Sequence, residues 1–342
     1  MIYPIIQKRN FRKDKMKQIL IFFTLLISAG LMGEELNFWD PGITAKLYRP
    51  DAPEPCPAII VLGGSEGGFN ERPARLFAEN GYVALALAYF QAERLPKHLE
   101  NIPLEYFLNA MHCLKKMPFV KEGKVHLYGP SKGGELVLLL SSQFPDEIAS
   151  AVAVVPSCVT YGGISNHLKS SWTYKENPLP FAPTPGKEEV LQQLQFRKTI
   201  DLTELFLKKM EDRESFEKAL IPVENISCPL LLISGGDDRL WPSSLYANLV
   251  MDRLDAFQSP IFREHLCYEL AGHMITNPFD PVISGAFKHP VTGLFYEMGG
   301  EAEAQGVACR DSWKKIIEFF NKNSELQQDQ KHSRARVSCH EI

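Results

Sequence analysis

Metal and nucleotide chemistry leave no mark on this chain of 342 residues, which has no Cys-x-x-Cys pair, no His-Glu-x-x-His and no Gly-x-Gly-x-x-Gly. Neither a resident metal nor a cofactor is therefore expected. Its seven cysteines (Cys56, Cys113, Cys158, Cys228, Cys267, Cys309 and Cys339) are odd in number and scattered. They make no disulfide framework, and most read as small apolar residues of a core. A surplus of positive charge is also missing. Lys and Arg total 37 against 41 Asp and Glu, a net charge of −4, and no basic patch is interleaved with aromatics. A nucleic-acid partner is not expected. What remains is ordinary: 45% hydrophobic and 23% charged residues suit one large α/β domain with room for a small insertion.

The N-terminus departs from that average. Lys8, Arg9, Arg12, Lys13, Lys15 and Lys17 precede the apolar run Ile19 to Ile27, and the small residues Ser28, Ala29, Gly30 and Gly33 lead to Glu34-Glu35. A basic segment, a short apolar stretch and small residues at a polar boundary predict a secretory signal peptide over 1–33, and a secreted or periplasmic protein. The run reaches Met32, short of the ~20 residues of a membrane span. No stable span is expected after cleavage, and an uncleaved membrane anchor is the alternative. Met16 is an alternative start.

The rest of the chain, 34–322, is organised around Lys124 to Leu140, KVHLYGPSKGGELVLLL. A buried strand ends at Tyr128, the chain turns through Gly129-Pro130-Ser131-Lys132-Gly133-Gly134, and an apolar helix follows. Gly129-x-Ser131-x-Gly133 between strand and helix is a nucleophile elbow. The serine takes a strained backbone so that its hydroxyl stands clear, and only glycines on either side let the chain pass so closely. The helix aims its N-terminal amides at the same point.

Around the elbow, strands and helices alternate. Strands are predicted at Ile43–Tyr48, Ala58–Leu62, Tyr82–Ala88, Ala151–Val155, Pro229–Ser234 and about Leu266–Leu270. Helices are predicted at Arg72–Asn80, Leu104–Met117, Ser243–Leu254 and Trp313–Phe320. Continuous β-branched runs such as Ala58-Ile59-Ile60-Val61-Leu62 fit strands buried on both faces, and the alternation predicts a doubly wound, mostly parallel sheet. Residues 157–223 break the rhythm. They are proline-rich at first and helical from Lys187 to Leu220, and are expected to form a cap-like insertion over the strand ends, where such sheets bind ligands. The polar tail 323–342 is expected to be disordered.

A nucleophilic serine needs a base and an acid to orient it, in the chain order Ser, acid, His. His273 follows the last predicted strand in a Gly-His turn, and Asp237 and Asp238 follow the strand before it. The remaining candidates are poorer: His112 and His126 fall inside a helix and a strand, and His98, His167, His289, His332 and His340 lie in polar or irregular stretches. Either aspartate can reach the imidazole while the other caps the turn. An oxyanion hole is expected from the amide of Lys132 and from the loop Gly63-Gly64-Ser65-Glu66-Gly67-Gly68, with Ser65 at the donor position.

Gly129-Pro130-Ser131-Lys132-Gly133-Gly134-Glu135-Leu136 resembles the elbow of the acyl-CoA thioesterase / bile acid-CoA:amino acid N-acyltransferase family. The resemblance continues through Val83–Phe90, Leu95-Pro96-Lys97, Leu104–Phe107, Ile221–Glu224, Gly236–Trp241, Tyr246-Ala247-Asn248, Ala271-Gly272-His273 and Gly299-Gly300-Glu301. It spans about residues 40 to 320. It implies an α/β-hydrolase domain with Ser131 as nucleophile, Asp238 as acid and His273 as base. It further implies an acyl-CoA thioester or related acyl ester as small-molecule substrate. Family members with a cysteine nucleophile resemble acyltransferases to amino acids, so Ser131 argues for hydrolysis. The family pattern also carries a β-sandwich domain ahead of the hydrolase domain, and here only a short stretch separates the N-terminal apolar run from the first strands. An exported esterase of the dienelactone-hydrolase kind is the alternative; an N-acyltransferase and a non-catalytic binder rank below it.

Overall fold

The computed structural model describes residues 34–37, 42–164 and 167–338, with side chains described between Gly42 and Glu325. The segment read as a signal peptide lies outside these residues. Eight strands form one sheet: β1 (Glu34–Asn37), β2 (Thr44–Tyr48), β3 (Ala58–Leu62), β4 (Val83–Ala88), β5 (Val125–Pro130), β6 (Ile148–Val154), β7 (Leu230–Gly235) and β8 (Arg263–Tyr268). Their spatial order is β1-β2-β4-β3-β5-β6-β7-β8. The pairs β1–β2 and β2–β4 are antiparallel and the others parallel, as the alternating sequence pattern predicts.

Helices cover both faces: α1 (Glu71–Glu79), α2 (Leu104–Lys115), α3 (Lys132–Gln143), α4 (Lys187–Leu194), α5 (Thr203–Lys209), α6 (Arg213–Ala219), α7 (Ser243–Ala256) and α8 (Ala302–Ser338). Because successive residues of a strand point to opposite faces, β3 feeds two cores. Ala58, Ile60 and Leu62 pack with residues of α2, α3 and α7. Ile59 and Val61 pack with Phe77 of α1 and with Trp313, Ile316 and Phe320 of α8. Strands β3 and β4 are buried along their whole length, which is why they read as unbroken apolar runs.

Three elements differ from the sequence expectation. The last strand is Arg263–Tyr268 rather than Leu266–Leu270; it pairs only with β7, and as a half-covered edge it tolerates the charged Arg263 and Glu264 that hide it from an apolar pattern. The helical stretch Lys187–Leu220 is three short helices. Ile200 between the first two is extended, donating to Phe295 O (3.0 Å) and accepting from Glu297 N (2.8 Å), so tertiary pairing overrides local helix preference. Finally, α8 starts before Trp313 and continues to Ser338, through the stretch read as a disordered tail. Asn323 there is buried, and Ser324 Oγ lies 3.0 Å from His126 Nε2 of β5, which anchors the start of the polar segment. Among the described residues no helix is long and apolar enough to cross a membrane.

The parallel strands put the loops after β3, β5, β7 and β8 at one edge of the sheet. The insertion between β6 and β7 and a hairpin of Ala286–Lys288 with Phe295–Glu297 meet the same edge, joined through Ile200.

Candidate active site

At the end of β5 the chain turns at Ser131 with φ 54° and ψ −122°, a left-handed conformation that costs of order 1–3 kcal/mol for a residue with a side chain. The turn is held by Ser131 N donating to Val154 O (2.8 Å) and Glu135 N to Ser131 O (3.1 Å). The flanking glycines are sterically required. A Cβ at Gly129 would meet Gly133 O at 2.5 Å, and one at Gly133 would meet Gly63 O at 2.4 Å. This close passage brings the Gly63–Gly68 loop against the elbow.

Ser131 Oγ lies 2.8 Å from His273 Nε2, and His273 Nδ1 lies 2.8 Å from Asp238 Oδ2. Asp238 is the residue at the imidazole; Asp237 is not. The Asp237 carboxylate instead accepts from Arg239 Nε (2.7 Å) and Gly300 N (2.9 Å), tying the turn after β7 to the start of α8. Asp238 is 4% exposed, and its remaining lone pairs are taken by Leu240 N (2.9 Å), Trp241 N (3.2 Å) and Ser243 Oγ (2.6 Å). A carboxylate so held fixes one orientation of the ring. With Asp238 as acceptor, Nδ1 carries the proton and Nε2 is left to accept from the serine hydroxyl. The ring's edge rests on Trp241 at 5.7 Å, and Trp241 Nε1 in turn donates to Val155 O (3.0 Å). Hydroxyl, base and orienting carboxylate in hydrogen-bonded series can deliver an alkoxide-like nucleophile to an acyl carbon.

The glycine loop is braced. Tyr89 OH, fully buried at the end of β4, donates to Gly63 O (2.7 Å), and Gly68 N donates to Phe90 O (2.9 Å). Glu66 is exposed as a residue, yet its carboxylate folds inward, Oε1 accepting from Gly64 N (2.8 Å). Desolvation of that carboxylate raises its pKa above the usual range. Ser65 lines the pocket beside Ser131 and Lys132, so both expected donor residues border the Ser131 hydroxyl's pocket.

Lys132 also carries a buried ion pair. Its Nζ meets both Glu135 oxygens (2.7 and 2.8 Å) and donates to Tyr161 O (2.9 Å), while Trp172 Nε1 donates to Glu135 Oε1 (2.8 Å). Burial pushes Lys132 down and Glu135 up, and each partner's charge opposes the shift of the other. The pair fastens the insertion, through Tyr161 and Trp172, to the elbow helix.

The pocket above Ser131 has an apolar wall of Ile164, Val190, Leu202, Phe206, Leu240 and Trp241. Its other wall is the hairpin, with His289, Thr292 and Tyr296. His289 was assigned from sequence to an irregular stretch, and its place here is new: Nε2 lies 2.8 Å from Ser65 Oγ. Its sequence surroundings carry no motif or periodicity that could have flagged it. Among the described residues no cluster of three His, Cys, Asp or Glu could hold a metal ion.

The family described as BAAT / Acyl-CoA thioester hydrolase C terminal matches residues 102–325, which include the elbow, both aspartates, His273 and His289. The chain belongs to this family. Mitochondrial acyl-coenzyme A thioesterase 2 of Mus musculus is 34% identical over 284 residues, covering 82% of this chain and 58% of that protein. Acyl-coenzyme A thioesterase 6 of Mus musculus is 34% identical over 311 residues, covering 88% of this chain and 70% of its own length. The chain thus spans between about half and three quarters of these relatives. Among solved structures, a dienelactone hydrolase-like promiscuous phosphotriesterase from metagenomic libraries superposes with a TM-score of 0.52. It is 15% identical and covers 86% of this chain and 99% of its own. An acylaminoacyl peptidase of Pyrococcus horikoshii gives a TM-score of 0.50 at 14% identity, covering 89% of this chain and 43% of its own. At these identities the likeness is one of fold, and the fold is that of the α/β-hydrolases.

Proposed function

We propose that the protein hydrolyses acyl thioesters of the acyl-CoA type through an acyl-enzyme on Ser131. The observation that supports this most is the hydrogen-bonded series Ser131–His273–Asp238 at the elbow, with bonds of 2.8 Å on either side of the ring. It sits beneath an apolar pocket, in a chain whose family relatives are named acyl-CoA thioesterases.

In this mechanism the acyl chain lies against the apolar wall and its carbonyl carbon sits over Ser131 Oγ. As Oγ bonds to that carbon, its proton passes to His273 Nε2, and the carbonyl oxygen takes the charge of the tetrahedral intermediate. The amides of Lys132 and Ser65 donate to that oxygen; a single such donor is worth ~10²–10³ in rate. Collapse breaks the carbon–sulfur bond, and the leaving thiolate takes the proton from His273. Water then attacks the acyl-enzyme, giving its proton to His273, and Ser131 leaves reprotonated with the free carboxylic acid as product. Asp238 holds the ring in one tautomer and faces its positive charge while it exists.

Steady-state hydrolysis of matched acyl-CoA and p-nitrophenyl esters, with Ser131→Ala as control, tests this. Ser131-dependent turnover with a clear preference for the thioester is expected. Turnover of the oxygen ester alone would remove the thioester substrate and leave an esterase. Turnover untouched by Ser131→Ala would remove the nucleophile.

A further inference from the structure

His289 faces the same pocket from the hairpin, and its hydrogen bonds run in the opposite direction to those of His273. Its Nδ1 accepts the amides of Val291 (3.2 Å) and Thr292 (3.4 Å). A nitrogen that accepts carries no proton, so the ring proton is on Nε2. That Nε2–H donates to Ser65 Oγ at 2.8 Å. The ring is 9% exposed and stands edge-on to Tyr296 at 5.9 Å, and the turn around it is closed by His289 N to Leu294 O (2.9 Å) and Gly293 N to His289 O (2.8 Å). Burial first, and then the nearby His273, hold its pKa below the ordinary value. The imidazole is therefore a neutral, rigidly mounted donor.

The glycine loop needs such a donor at Ser65. Tyr89 holds Gly63, Glu66 holds Gly64, and Phe90 O holds Gly68; the tie to His289 falls on Ser65 itself and comes from across the pocket. Glycines flank Ser65-Glu66 on both sides, so the backbone of this loop has wide conformational freedom. We propose that His289 is a positioning residue for the oxyanion hole: by donating to Ser65 Oγ it keeps the Ser65 amide, and the proton of its hydroxyl, directed at the acyl carbonyl oxygen. The hydroxyl proton is free for this because its oxygen is the acceptor in the bond to His289. The effect would be felt as the oxygen becomes charged, and so on kcat more than on KM. This inference rests on the hydrolase function proposed above.

The test compares wild type with His289→Leu, His289→Gln, Ser65→Ala and the Ser65→Ala/His289→Leu double variant. It reads kcat and KM on an acyl thioester, and the thermal midpoint of each protein. His289→Leu and Ser65→Ala are each expected to lower kcat about 10–100-fold with little change in KM, since a misplacement of ~1 Å can cost ~10²-fold. The double variant should be no slower than the slower single, because both cut one tie. His289→Gln, which keeps an N–H of similar reach, should recover most of the rate. Unchanged kcat in both single variants, losses that multiply, or losses confined to KM would overturn the proposal. Should His289→Leu fail to fold, Ser65→Ala and His289→Gln still carry the kinetic comparison. Nitrogen-15 spectra of the wild-type imidazoles give a readout independent of turnover: at pH 7 His289 should be protonated on Nε2 alone. A proton on Nδ1 would overturn the proposal even in an active enzyme. A wild type with no Ser131-dependent turnover would instead sink the hydrolase function, leaving the spectra to judge the hydrogen bond.

Discussion

Ser131 and Ser65 line one pocket, each hydrogen-bonded to a histidine, and the group behind each ring decides what the pair can do. Behind His273 stands the Asp238 carboxylate, so Nδ1 is the donor and Nε2 can take a proton from Ser131. Behind His289 stand two backbone amides, so Nδ1 is the acceptor and Nε2–H gives its hydrogen bond to Ser65. At a distance of 2.8 Å in both cases, heavy-atom geometry alone would make the two serines equivalent. The tautomer separates them: one pair can generate a nucleophile, and the other can only orient a donor.

The comparison breaks most visibly at the first pair. Ser131→Ala or His273→Ala should lower kcat on the acyl thioester by about 10⁶-fold, the scale seen when a nucleophile or base of such a set is removed. Asp238→Asn should cost ~10⁴-fold, because an amide at Nδ1 permits the wrong tautomer. Asp237→Asn, which touches Arg239 and Gly300 and not the ring, should cost less than about tenfold by the same kinetics. Equal losses at the two aspartates would contradict the wiring described here.

Next in size is a loss of stability. Glu135 is fully buried against Lys132, and Glu135→Ala leaves the ammonium unpaired, at an expected cost of about 3–5 kcal/mol in denaturant unfolding. Glu135→Gln with Lys132→Met should recover part of it, since the glutamine carbonyl still accepts from Trp172. Smaller still is the effect of His289→Leu on kcat, about 10–100-fold.

A third pair, outside the pocket, serves as a control through the pH dependence of stability. His126 is buried outside the pocket, with Nδ1 2.8 Å from Ser150 Oγ and Nε2 3.0 Å from Ser324 Oγ. Burial pushes its pKa down from 6.5 to about 3. The folded state therefore prefers the neutral ring while the unfolded chain protonates near 6.5. Its contribution to stability is whole above that pH and is lost as pH falls toward about 3, with a slope of up to about 1.4 kcal/mol per pH unit. His289, also shifted down, adds in the same direction. Denaturant midpoints between pH 7 and 4 should fall less steeply in His126→Gln than in wild type, and the kinetic order of the two pocket pairs should be unaffected.

Much of this was legible in the sequence because it is local. The elbow declares itself by Gly129-x-Ser131-x-Gly133 between an apolar strand and an apolar helix, and β3, β4 and β7 declare themselves by unbroken burial. His273 stands out because it follows a predicted strand at the position the chain order demands, and the fold sets its ring 2.8 Å from Ser131. Choosing between Asp237 and Asp238 was beyond local pattern: adjacent carboxylates differ only in which way the turn after β7 points them, and Gly300 and Arg239 decide that. His289 was invisible for a related reason. It sits in an irregular hairpin, and its partner Ser65 lies at the far end of the sequence, so their meeting is a property of the closed fold. The extended Ile200, pairing with that same hairpin, explains why a run of helix-forming residues gave three short helices.

Lys132 belongs to two structures at once. Its main chain is part of the elbow, while its side chain is stitched into the insertion through Tyr161 O and, by way of Glu135, through Trp172. An engineer wishing to change substrate preference by exchanging residues 157–223 for a foreign cap would find that the graft has fixed suture points. A replacement must supply a carbonyl at the Tyr161 position and an N–H at the Trp172 position, or it will leave an unsatisfied charge one residue from Ser131.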